Sequence, residues 1–493
     1  MTILFNGNRF KYEMENVARL FYPLRHFQFA YEQCPPEEDD YLAFTRLEKE
    51  DGAHLLVDLK EGEVRERAES FVAAGERYEN RCEEEFARLL YRMLEKKTGV
   101  HPKWGILTGI RPVRRMQYAE ENGKSRREIE REFREDFLVS EEKTGLAFQI
   151  YENQRPILAD ISPKDFSLYI SIPYCPSRCS YCSFVSHSIN QPKARKLIPA
   201  YVNSVVKEIE FTAKIACDLG LQLRSIYIGG GTPTVLEPDQ LREITNCIAN
   251  SFTLNSQMEY TIEAGRADTI TYEKLKVIRE AGANRVSINP QTFEDDVLRA
   301  VGRKHTANEV VECYKLAREF GFDTINMDFI AGLPTDTLSG FERSLDRAME
   351  LNPENITVHA LSVKRAAALY SEMDGSEDYT LVQKMVDHAG RTLPANGYAP
   401  YYLYRQKNTI GNLENVGYAK PGHFGQYNVY IMEEVQHILA VGAGGVSKVV
   451  RPGHIDRVFN YKYPYEYISG FSDILSRKEE IRKLLEEVEK DGK

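Results

Sequence analysis

The segment Ser167-Leu-Tyr-Ile-Ser-Ile172 is rich in β-branched and aromatic residues, and three cysteines follow it in the loop Pro-Tyr-Cys175-Pro-Ser-Arg-Cys179-Ser-Tyr-Cys182. The apolar run predicts a buried β-strand, and the polar residues after it predict a loop. The same order of strand, turn and amphipathic helix recurs until about residue 362. Because strands that alternate with helices in this way are joined by right-handed crossovers, the pattern predicts an α/β fold with a parallel sheet.

Six candidate strands are expected in this part of the chain. They are Ser167–Ile172, Ser225–Gly230, Met258–Ala264, Arg285–Asn289, Thr324–Ile330 and Asn355–Leu361. The helix-like stretches between them are Ile198–Leu219, Asp239–Ser251, Thr271–Ala281, Ala307–Phe320 and Leu338–Leu351. Six units are fewer than the eight of a complete barrel, so the parallel sheet either curls into a partial (β/α)6, TIM-like barrel or stays open. In either case the chemistry is expected at the carboxyl ends of the strands.

The pattern changes on both sides of this barrel and predicts three domains. Residues 1–160 are expected to form an N-terminal α+β accessory domain, residues 161–370 the barrel, and residues 371–493 a C-terminal extension. The first domain has short alternating runs at 42–47 and 54–59, and its charged stretches at 64–97 and 126–155 are expected to be helices. The fold of the C-terminal extension is the hardest to read.

The overall composition excludes several classes of protein. The 493 residues carry a formal net charge of -10 with Lys and Arg dispersed, which argues against a nucleic-acid-binding protein. No apolar run reaches membrane-spanning length, so a cytoplasmic protein is expected. The other five cysteines are scattered and do not suggest a disulfide scaffold. The stretch Thr108-Gly-Ile-Arg-Pro112 fits either an anion-binding loop or a structural turn.

The spacing of Cys175, Cys179 and Cys182 predicts a metal centre with three thiolate ligands. Zinc usually takes four protein ligands at a structural site, and the nearest candidate for a fourth is His187. An iron-sulfur cubane held by three cysteines leaves one iron without a protein ligand, and the amino and carboxylate groups of S-adenosylmethionine can chelate that iron. The motif resembles the signature of the radical S-adenosylmethionine superfamily, Cys-x3-Cys-x-aromatic-Cys, with Tyr181 as the aromatic residue.

Further candidate residues follow the later strands in order. Gly229-Gly-Gly-Thr-Pro-Thr234 ends the second predicted strand, and glycines there let the backbone approach a ligand closely. Glu263 ends the third strand, Gln291 follows the fourth, and Asp328 lies in the fifth. A carboxylate suits ribose hydroxyls, and an arginine such as Arg303 suits the ligand's carboxylate. Taken singly, each of these residues is equally well read as a polar residue at the rim of a core.

Two segments narrow the resemblance to the oxygen-independent coproporphyrinogen III dehydrogenase (oxidase) family. They are Gly302-Arg-Lys-His305 and Asn326-Met-Asp-Phe-Ile-Ala-Gly-Leu-Pro334. Glu414-Asn-Val-Gly-Tyr418 and Ala443-Gly-Gly-Val-Ser447 resemble the HemZ-type subgroup. The resemblance implies a [4Fe-4S] cluster on Cys175, Cys179 and Cys182. It also implies that S-adenosylmethionine contacts Tyr169, Tyr181, Gly230, Gly231, Thr232, Glu263, Gln291, Arg303 and Asp328.

The activity that this family implies is the oxidative decarboxylation of two propionates of coproporphyrinogen III to vinyl groups. A 5'-deoxyadenosyl radical takes a hydrogen from the propionate β-carbon, carbon dioxide leaves, and an electron passes to an acceptor. A flavodoxin or ferredoxin is expected to reduce the cluster. Candidate basic partners for the substrate's carboxylates are Lys364, Arg365, Arg405 and Lys407, and candidate walls are Tyr401, Tyr402 and Tyr404, although these read equally as surface charges and core.

One departure keeps two other functions open. Ser183 and Phe184 follow Cys182, where the founding dehydrogenases have a further cysteine nearby. Relatives with the shorter motif include haem chaperones, and fold alone does not separate these functions. A haem-binding protein would need axial ligands, for which His359, His423, His437 and Cys313 are the candidates. A different radical reaction on a tetrapyrrole is the third interpretation.

Overall fold

A computed structural model describes residues 1–23, 25–33, 39–109, 111–184, 187–362, 367–371, 379–406, 409 and 412–491. The chain forms two compact units. The first consists of residues 1–151 together with a short segment that begins at residue 405, and the second consists of the rest. The three-domain division at 160 and 370 stays a prediction. Within the described residues, no helix combines the length and apolar character needed to cross a bilayer.

The first unit is an α+β fold built on a five-stranded sheet. Its strands are β1 (Thr2–Asn6), β2 (Gln28–Tyr31), β3 (Tyr41–Lys49), β4 (Gly52–Glu61) and β5 (Val64–Ala73). Its helices are α1 (Lys11–Phe21), α2 (Tyr78–Thr98), α3 (Pro112–Glu121), α4 (Arg126–Arg131) and α5 (Glu141–Leu158), the last of which continues into the second unit. The strand order is β2-β1-β3-β4-β5, with β1 parallel to β2 and β3 and the other pairs antiparallel. The ring of Phe44 packs edge-on against Phe86 of α2, with 5.8 Å between centroids.

Two expectations for this unit were wrong. Residues 64–73 form strand β5 rather than the start of a helix, because their charged side chains alternate along an edge strand that pairs with all of β4. The expected helix over 126–155 is interrupted by a π-helical turn at Glu132–Asp136. The chain leaves the helix there because the carbonyl of Phe137 accepts a hydrogen bond from the amide of Ile106, at 2.9 Å.

The second unit contains the predicted barrel strands in their predicted order. They are β6 (Asp165–Ile172), β9 (Gln222–Gly230), β10 (Glu259–Glu263), β11 (Arg285–Ser287), β12 (Thr324–Ala331) and β13 (Asn355–Ala360). Two short strands in the cysteine loop are β7 (Tyr174–Cys175) and β8 (His187–Ser188). Neighbours among the six are all parallel and follow chain order. The predicted α/β fold class is therefore confirmed.

Helices connect these strands and cover the sheet. They are α6 (Pro192–Asp218), α7 (Pro238–Ser251), α8 (Tyr272–Glu280), α9 (Asp295–Ala300), α10 (Ala307–Glu319) and α11 (Leu338–Leu351). The five predicted helices match α6, α7, α8, α10 and α11, with bounds that differ by a few residues. Their apolar faces supply buried residues such as Ile209, Ile244 and Leu345. The predicted periodicity therefore reflects a real division between core and solvent.

The C-terminal region extends the same sheet at both edges. Its strands are β14 (Ala399–Arg405), β15 (Glu414–Ala419), β16 (His437–Val441), β17 (Val446–Arg451) and β18 (His454–Phe459). Its helices are α12 (Tyr379–Ala395), α13 (Gln426–Glu433), α14 (Pro464–Ser469) and α15 (Phe471–Asp491). β15 pairs antiparallel with β13, and β16 pairs parallel with β6. The result is an eleven-stranded sheet in which β16 is a parallel strand that the sequence did not reveal.

A buried carboxylate ties this region to the barrel. Glu208 of α6 is fully buried and lies 2.9 Å from the ammonium of Lys478 on α15. It also accepts hydrogen bonds from the amide of Gly442 at 2.8 Å, the side chain of Asn460 at 2.7 Å and the hydroxyl of Tyr467. A buried charge needs such partners, so these contacts fix α6 against four C-terminal segments.

Candidate functional site

The cysteine loop leaves the carboxyl end of β6 and is held at several points. Cys175 lies on β7, which pairs with β8 and so closes the base of the loop. Further along, the amide of Ser180 donates to the carbonyl of Val301 at 3.1 Å, and the carbonyl of Ser180 accepts from the amide of Leu369 at 2.9 Å. These contacts hold the loop at the end of the sheet where the predicted chemistry is expected.

The three predicted cluster ligands lie close enough to influence one another. Cys175, Cys179 and Cys182 are free thiols, and burial raises the pKa of Cys182 to about 11, with the other two sulfurs adding to the rise. Among the described residues, no three His, Cys, Asp or Glu side chains are grouped to hold a single metal ion. A cubane is wider than one ion, so its three cysteines do not need to converge on one point.

Donors next to two of the sulfurs fit a thiolate-bound cluster. The hydroxyl of Thr232 donates to Sγ of Cys175 at 3.5 Å, and Nη1 of Arg266 donates to Sγ of Cys179 at 3.6 Å. Hydrogen bonds and positive charge stabilise sulfur in its anionic form, which is the form that binds iron. The chemistry of these donors therefore fits the predicted iron-sulfur cluster.

Arg303 and Tyr181, two of the predicted ligand contacts, lie next to the cysteines. Arg303 is buried, lies beside Tyr181 and Cys179, and donates through Nη1 to the carbonyl of Asn289 at 2.6 Å. Within the part of the chain that the structure describes, Nε of Arg303 and the side-chain oxygen of Asn289 are buried and have no hydrogen-bond partner. Because buried polar atoms are rarely left unpaired, these two atoms are suited to a polar ligand such as S-adenosylmethionine.

The glycine-rich turn after β9 packs directly on the cysteine loop. A Cβ atom on Gly231 would lie 2.5 Å from the carbonyl oxygen of Tyr174, and Gly230 has a φ of +102° that favours glycine. The amide of Thr232 donates to the same carbonyl of Tyr174 at 2.8 Å. These positions therefore require glycine for the close approach that brings Thr232 to Cys175.

A second group of predicted residues lies on the inner side of strands β6, β10 and β12. Burial raises the pKa of Glu263 to about 7, and the carboxylate of Asp328 adds to the rise, while a hydrogen bond from the hydroxyl of Tyr227 opposes it. Oδ1 of Asp328 accepts from Nδ2 of the Asn326 side chain at 2.7 Å. Burial is the main cause of a raised pKa of Tyr169, and the carboxylate of Glu263 adds to that rise. The structure thus brings together the side chains of three predicted residues, Tyr169, Glu263 and Asp328.

Gln291 is placed by its backbone. Its φ is +68°, which is unusual for a residue other than glycine, and its amide donates to the carbonyl of Asp328 at 2.8 Å. The residue is buried. Strained backbone at a residue that is not glycine is often kept where a side chain must point in a set direction for function.

Three aromatic and charged residues at this site were not predicted. The ring of Tyr227 stacks on that of Tyr427 with 4.5 Å between centroids, and Tyr169 lies 6.3 Å from Tyr227. Tyr227 alternates with Gly229 along β9, so the period of the strand could have revealed it. Tyr427 comes from the C-terminal helix α13, and Arg266 from a turn after β10, so no local pattern pointed to either.

The residues proposed to contact the substrate have other surroundings in the structure or lie outside its described part. Arg405 belongs to the first unit, where it donates to the carbonyl of Leu107 and lies over the ring of Trp104 at 5.4 Å. Tyr401 and Tyr402 are buried in a hydrophobic cluster with Ala419 and Val429 and are therefore core. Lys364, Arg365 and Lys407 lie outside the described residues.

The candidate haem ligands have other partners in the structure. Both ring nitrogens of His437 are engaged, one with the carbonyl of Pro163 at 3.0 Å and the other with the amide of Val450 at 3.0 Å. Nδ1 of His423 lies 2.9 Å from the hydroxyl of Thr324. Nδ1 of His359 lies 3.3 Å from the hydroxyl of Tyr404, and Sγ of Cys313 donates to the carbonyl of Ala267 at 3.6 Å. His437 in particular has no nitrogen left for a metal.

Comparisons with known proteins identify relatives of this chain. The family model of the radical SAM superfamily matches residues 169–348. The chain is 34% identical over 488 residues to the oxygen-independent coproporphyrinogen-III oxidase-like protein HemZ of Bacillus subtilis (strain 168), covering 96% of this chain and 95% of that protein. It is 32% identical over 310 residues to the heme chaperone HemW of the same organism, covering 61% and 77%. The solved structure of coproporphyrinogen III oxidase (HemN) from Escherichia coli shares the fold, with a TM-score of 0.52, 23% identity and coverage of 66% and 72%.

The fold and the cysteine loop define a radical SAM protein, and the match to that superfamily agrees. The predicted cofactors, a [4Fe-4S] cluster and S-adenosylmethionine, are those of this superfamily. Within it, the chain belongs to the oxygen-independent coproporphyrinogen III oxidase family, in the HemZ-type subgroup. The relatives are named both as oxidases and as heme chaperones, so the family alone leaves the reaction open.

Proposed function

We propose that this protein is a radical SAM oxidoreductase that decarboxylates two propionates of coproporphyrinogen III to vinyl groups, giving protoporphyrinogen IX. The observation that carries the proposal is that Cys179 and Arg303 lie next to each other at the carboxyl end of the sheet. Glu263 and Asp328 lie near each other on strands of the same sheet. The likeness to HemZ over nearly the whole chain supports the tetrapyrrole substrate.

In this proposal Cys175, Cys179 and Cys182 hold the [4Fe-4S] cluster. When bound, the cluster and S-adenosylmethionine would supply a 5'-deoxyadenosyl radical to remove a hydrogen from a propionate β-carbon. Carbon dioxide would then leave, and one electron would pass to an acceptor. Arg303 binds the carboxylate of S-adenosylmethionine, which suits its buried and partly unpaired guanidinium. Gly230 and Gly231 let the backbone approach the ligand, and Thr232 holds Cys175.

Glu263 and Asp328 are proposed to bind the ribose side of the same ligand. The hydroxyl of Tyr227 donates to Glu263 and so fixes the direction of its carboxylate. The rings of Tyr169, Tyr227 and Tyr427 stack beside that carboxylate and reduce its contact with water. A dry, ordered carboxylate binds hydroxyl groups more strongly than a hydrated one does. Gln291 and Tyr181 complete the proposed contacts.

The cluster must be reduced for turnover, so we propose a low-potential flavodoxin or ferredoxin as a partner. We also propose that the protein works in the cytoplasm.

An anaerobic assay tests this function. Cluster-loaded protein, reductant, S-adenosylmethionine and coproporphyrinogen III are combined, and 5'-deoxyadenosine, carbon dioxide and protoporphyrinogen are followed together. The proposal predicts that all three appear and that none appears with Cys179→Ala. Formation of 5'-deoxyadenosine without carbon dioxide would contradict the substrate assignment and leave the radical chemistry standing.

Haem delivery is the second candidate function, and the likeness to HemW over 61% of the chain favours it. His437 counts against it as an axial ligand, since both of its nitrogens are engaged. The two functions separate in one experiment, because a chaperone takes up haem in a one-to-one complex and makes no protoporphyrinogen.

A further inference from the structure

Arg266 is a buried cation that binds the cysteine loop at three atoms. Its Nη1 lies 3.6 Å from Sγ of Cys179 and 3.5 Å from the carbonyl oxygen of Ser177, and its Nη2 lies 3.2 Å from the hydroxyl of Ser177. The side chain of Arg266 is 4% exposed. Such a fork of donors fixes the loop and places positive charge next to a predicted cluster ligand.

The position of Arg266 is set by the turn that follows β10. Its carbonyl accepts from both the amide and the hydroxyl of Thr269, at 3.0 and 2.7 Å. The ammonium of Lys274 donates to the carbonyl of Thr269 at 3.2 Å and to that of Thr234 at 2.6 Å. The turn is therefore anchored to the segment that follows the glycine-rich loop, so the guanidinium is held before any ligand arrives.

The carboxylate of Asp268 partly neutralises the positive charge of Arg266. Its two oxygens accept from Nε and Nη2 of Arg266, at 2.9 and 2.8 Å. Nδ1 of His305 lies 3.5 Å from the same carboxylate. Arg266 therefore faces the cysteine loop with its charge partly balanced, whereas Arg303 lies beside Cys179 as a separate buried cation.

We propose that Arg266 is a positioning residue that raises the reduction potential of the iron-sulfur cluster through Cys179, and that Asp268 limits this rise. The proposal rests on the cluster that forms part of the proposed function. Reduction adds a negative charge to a cluster, and hydrogen bonds to its sulfurs and nearby positive charge stabilise that charge. Removing the guanidinium should therefore make reduction harder, and removing the carboxylate should make it easier.

The test is a redox titration of the cluster followed by electron paramagnetic resonance in the absence of substrate. For Arg266→Gln, we expect the ratio of reduced to oxidised cluster at a fixed potential to fall about tenfold, which is about 59 mV for a one-electron couple. Arg343→Gln is the matched control, since Arg343 is 60% exposed and also pairs with a carboxylate, Glu294, at 2.8 Å. That control should titrate like the parent protein.

Two more variants separate the effect of charge from that of loop structure. Arg266→Lys keeps the charge, so its potential should lie between those of the parent and Arg266→Gln. Asp268→Asn removes the balancing carboxylate, so its potential should rise. If the substitutions only loosened the loop, the reduction potential would not shift in opposite directions in Arg266→Gln and Asp268→Asn.

Several results would overturn the proposal. One is an unchanged or raised potential in Arg266→Gln that carries a full complement of iron and sulfide. If Arg266→Gln loads no cluster, Asp268→Asn decides, and an unchanged or lowered potential there is the contrary result. These readouts need no tetrapyrrole, so a failure of the decarboxylation assay leaves them interpretable, whereas failure of the parent protein to load any cluster would refute the cluster assignment itself.

Discussion

At the scale of single residues, the proposed cysteine ligands could be identified from the sequence because their spacing is local. Cys175, Cys179 and Cys182 lie in one loop, and the sequence pattern also predicted the strand that precedes them. Arg266 was not accessible, because its contact with Cys179 joins positions 87 residues apart in the chain. Tyr427 could not be predicted for the same reason, because it comes to the site from a helix beyond the barrel.

Replacing Cys179 with Ala should abolish the cluster, because the loop then keeps two of its three iron ligands. Iron and acid-labile sulfide, measured after anaerobic reconstitution, should fall to background. Cys217→Ala is the matched control, since Cys217 is an exposed free thiol on α6. A normal iron and sulfide content in Cys179→Ala would show that the ligands are assigned wrongly.

The pair formed by Tyr227 and Glu263 predicts a pH dependence of ligand binding. Burial raises the pKa of Glu263 to about 7, so its carboxylate is ionised above that pH and neutral below it. Since the ionised form is the better acceptor for hydroxyl groups, binding of S-adenosylmethionine to cluster-loaded protein should strengthen as pH rises through about 7.

Tyr227→Phe removes the donor that lowers the pKa of Glu263, so the midpoint of this pH dependence should move higher. At neutral pH, binding should weaken by about tenfold, the value of one hydrogen bond to a charged group. Tyr427→Phe is the control, because that ring stacks on Tyr227 while the hydrogen bond to Glu263 remains. Equilibrium dialysis between pH 6 and 9 measures both variants, and identical profiles would refute the role given to Tyr227.

At the scale of helices and strands, the sequence was most reliable where a pattern is strong and buried. The six barrel strands and α11 were predicted within a few residues, because a short apolar run between two amphipathic helices is typical of a buried parallel strand. Strand β5 was misread as helix because its charged residues carry no core pattern at an edge. β16 was missed because its pairing with β6 joins segments about 270 residues apart.

The contact between α6 and α15 predicts a large loss of stability on one substitution. Lys478→Met leaves the buried carboxylate of Glu208 without its cation, which typically costs about 3 to 5 kcal/mol. The midpoint of urea unfolding of the cluster-free protein should fall accordingly. Lys483→Met on the same helix is the control, since Lys483 is exposed. Equal midpoints for the two variants would mean that the pair does not anchor the C-terminal helix.

At the scale of the whole molecule, the C-terminal region is continuous with the barrel rather than appended to it. β15 and β16 lengthen the central sheet on both sides, and α13 supplies Tyr427 to the predicted ligand site. This integration could not be predicted, because it depends on pairings between distant segments that no local pattern encodes. It does agree with the likeness to HemZ along nearly the entire chain.

The proposed reaction, together with the engagement of both nitrogens of His437, predicts that the protein does not carry haem stoichiometrically. Burial lowers the pKa of His437 to about 4, and its two nitrogens are used by Pro163 and Val450. Titration of purified protein with haem, followed by absorbance, should show weak uptake far below one haem per chain. Saturation at one haem per chain, lost on replacement of a single histidine, would favour the chaperone interpretation.

The most direct test of the proposed reaction follows the hydrogen atom itself. Coproporphyrinogen III carrying deuterium at the propionate β-carbons is incubated anaerobically with cluster-loaded protein, reductant and S-adenosylmethionine, and the 5'-deoxyadenosine formed is analysed by mass spectrometry. The proposal predicts that the 5'-deoxyadenosine gains one deuterium and that carbon dioxide forms in equal amount. Unlabelled 5'-deoxyadenosine with intact substrate would contradict it.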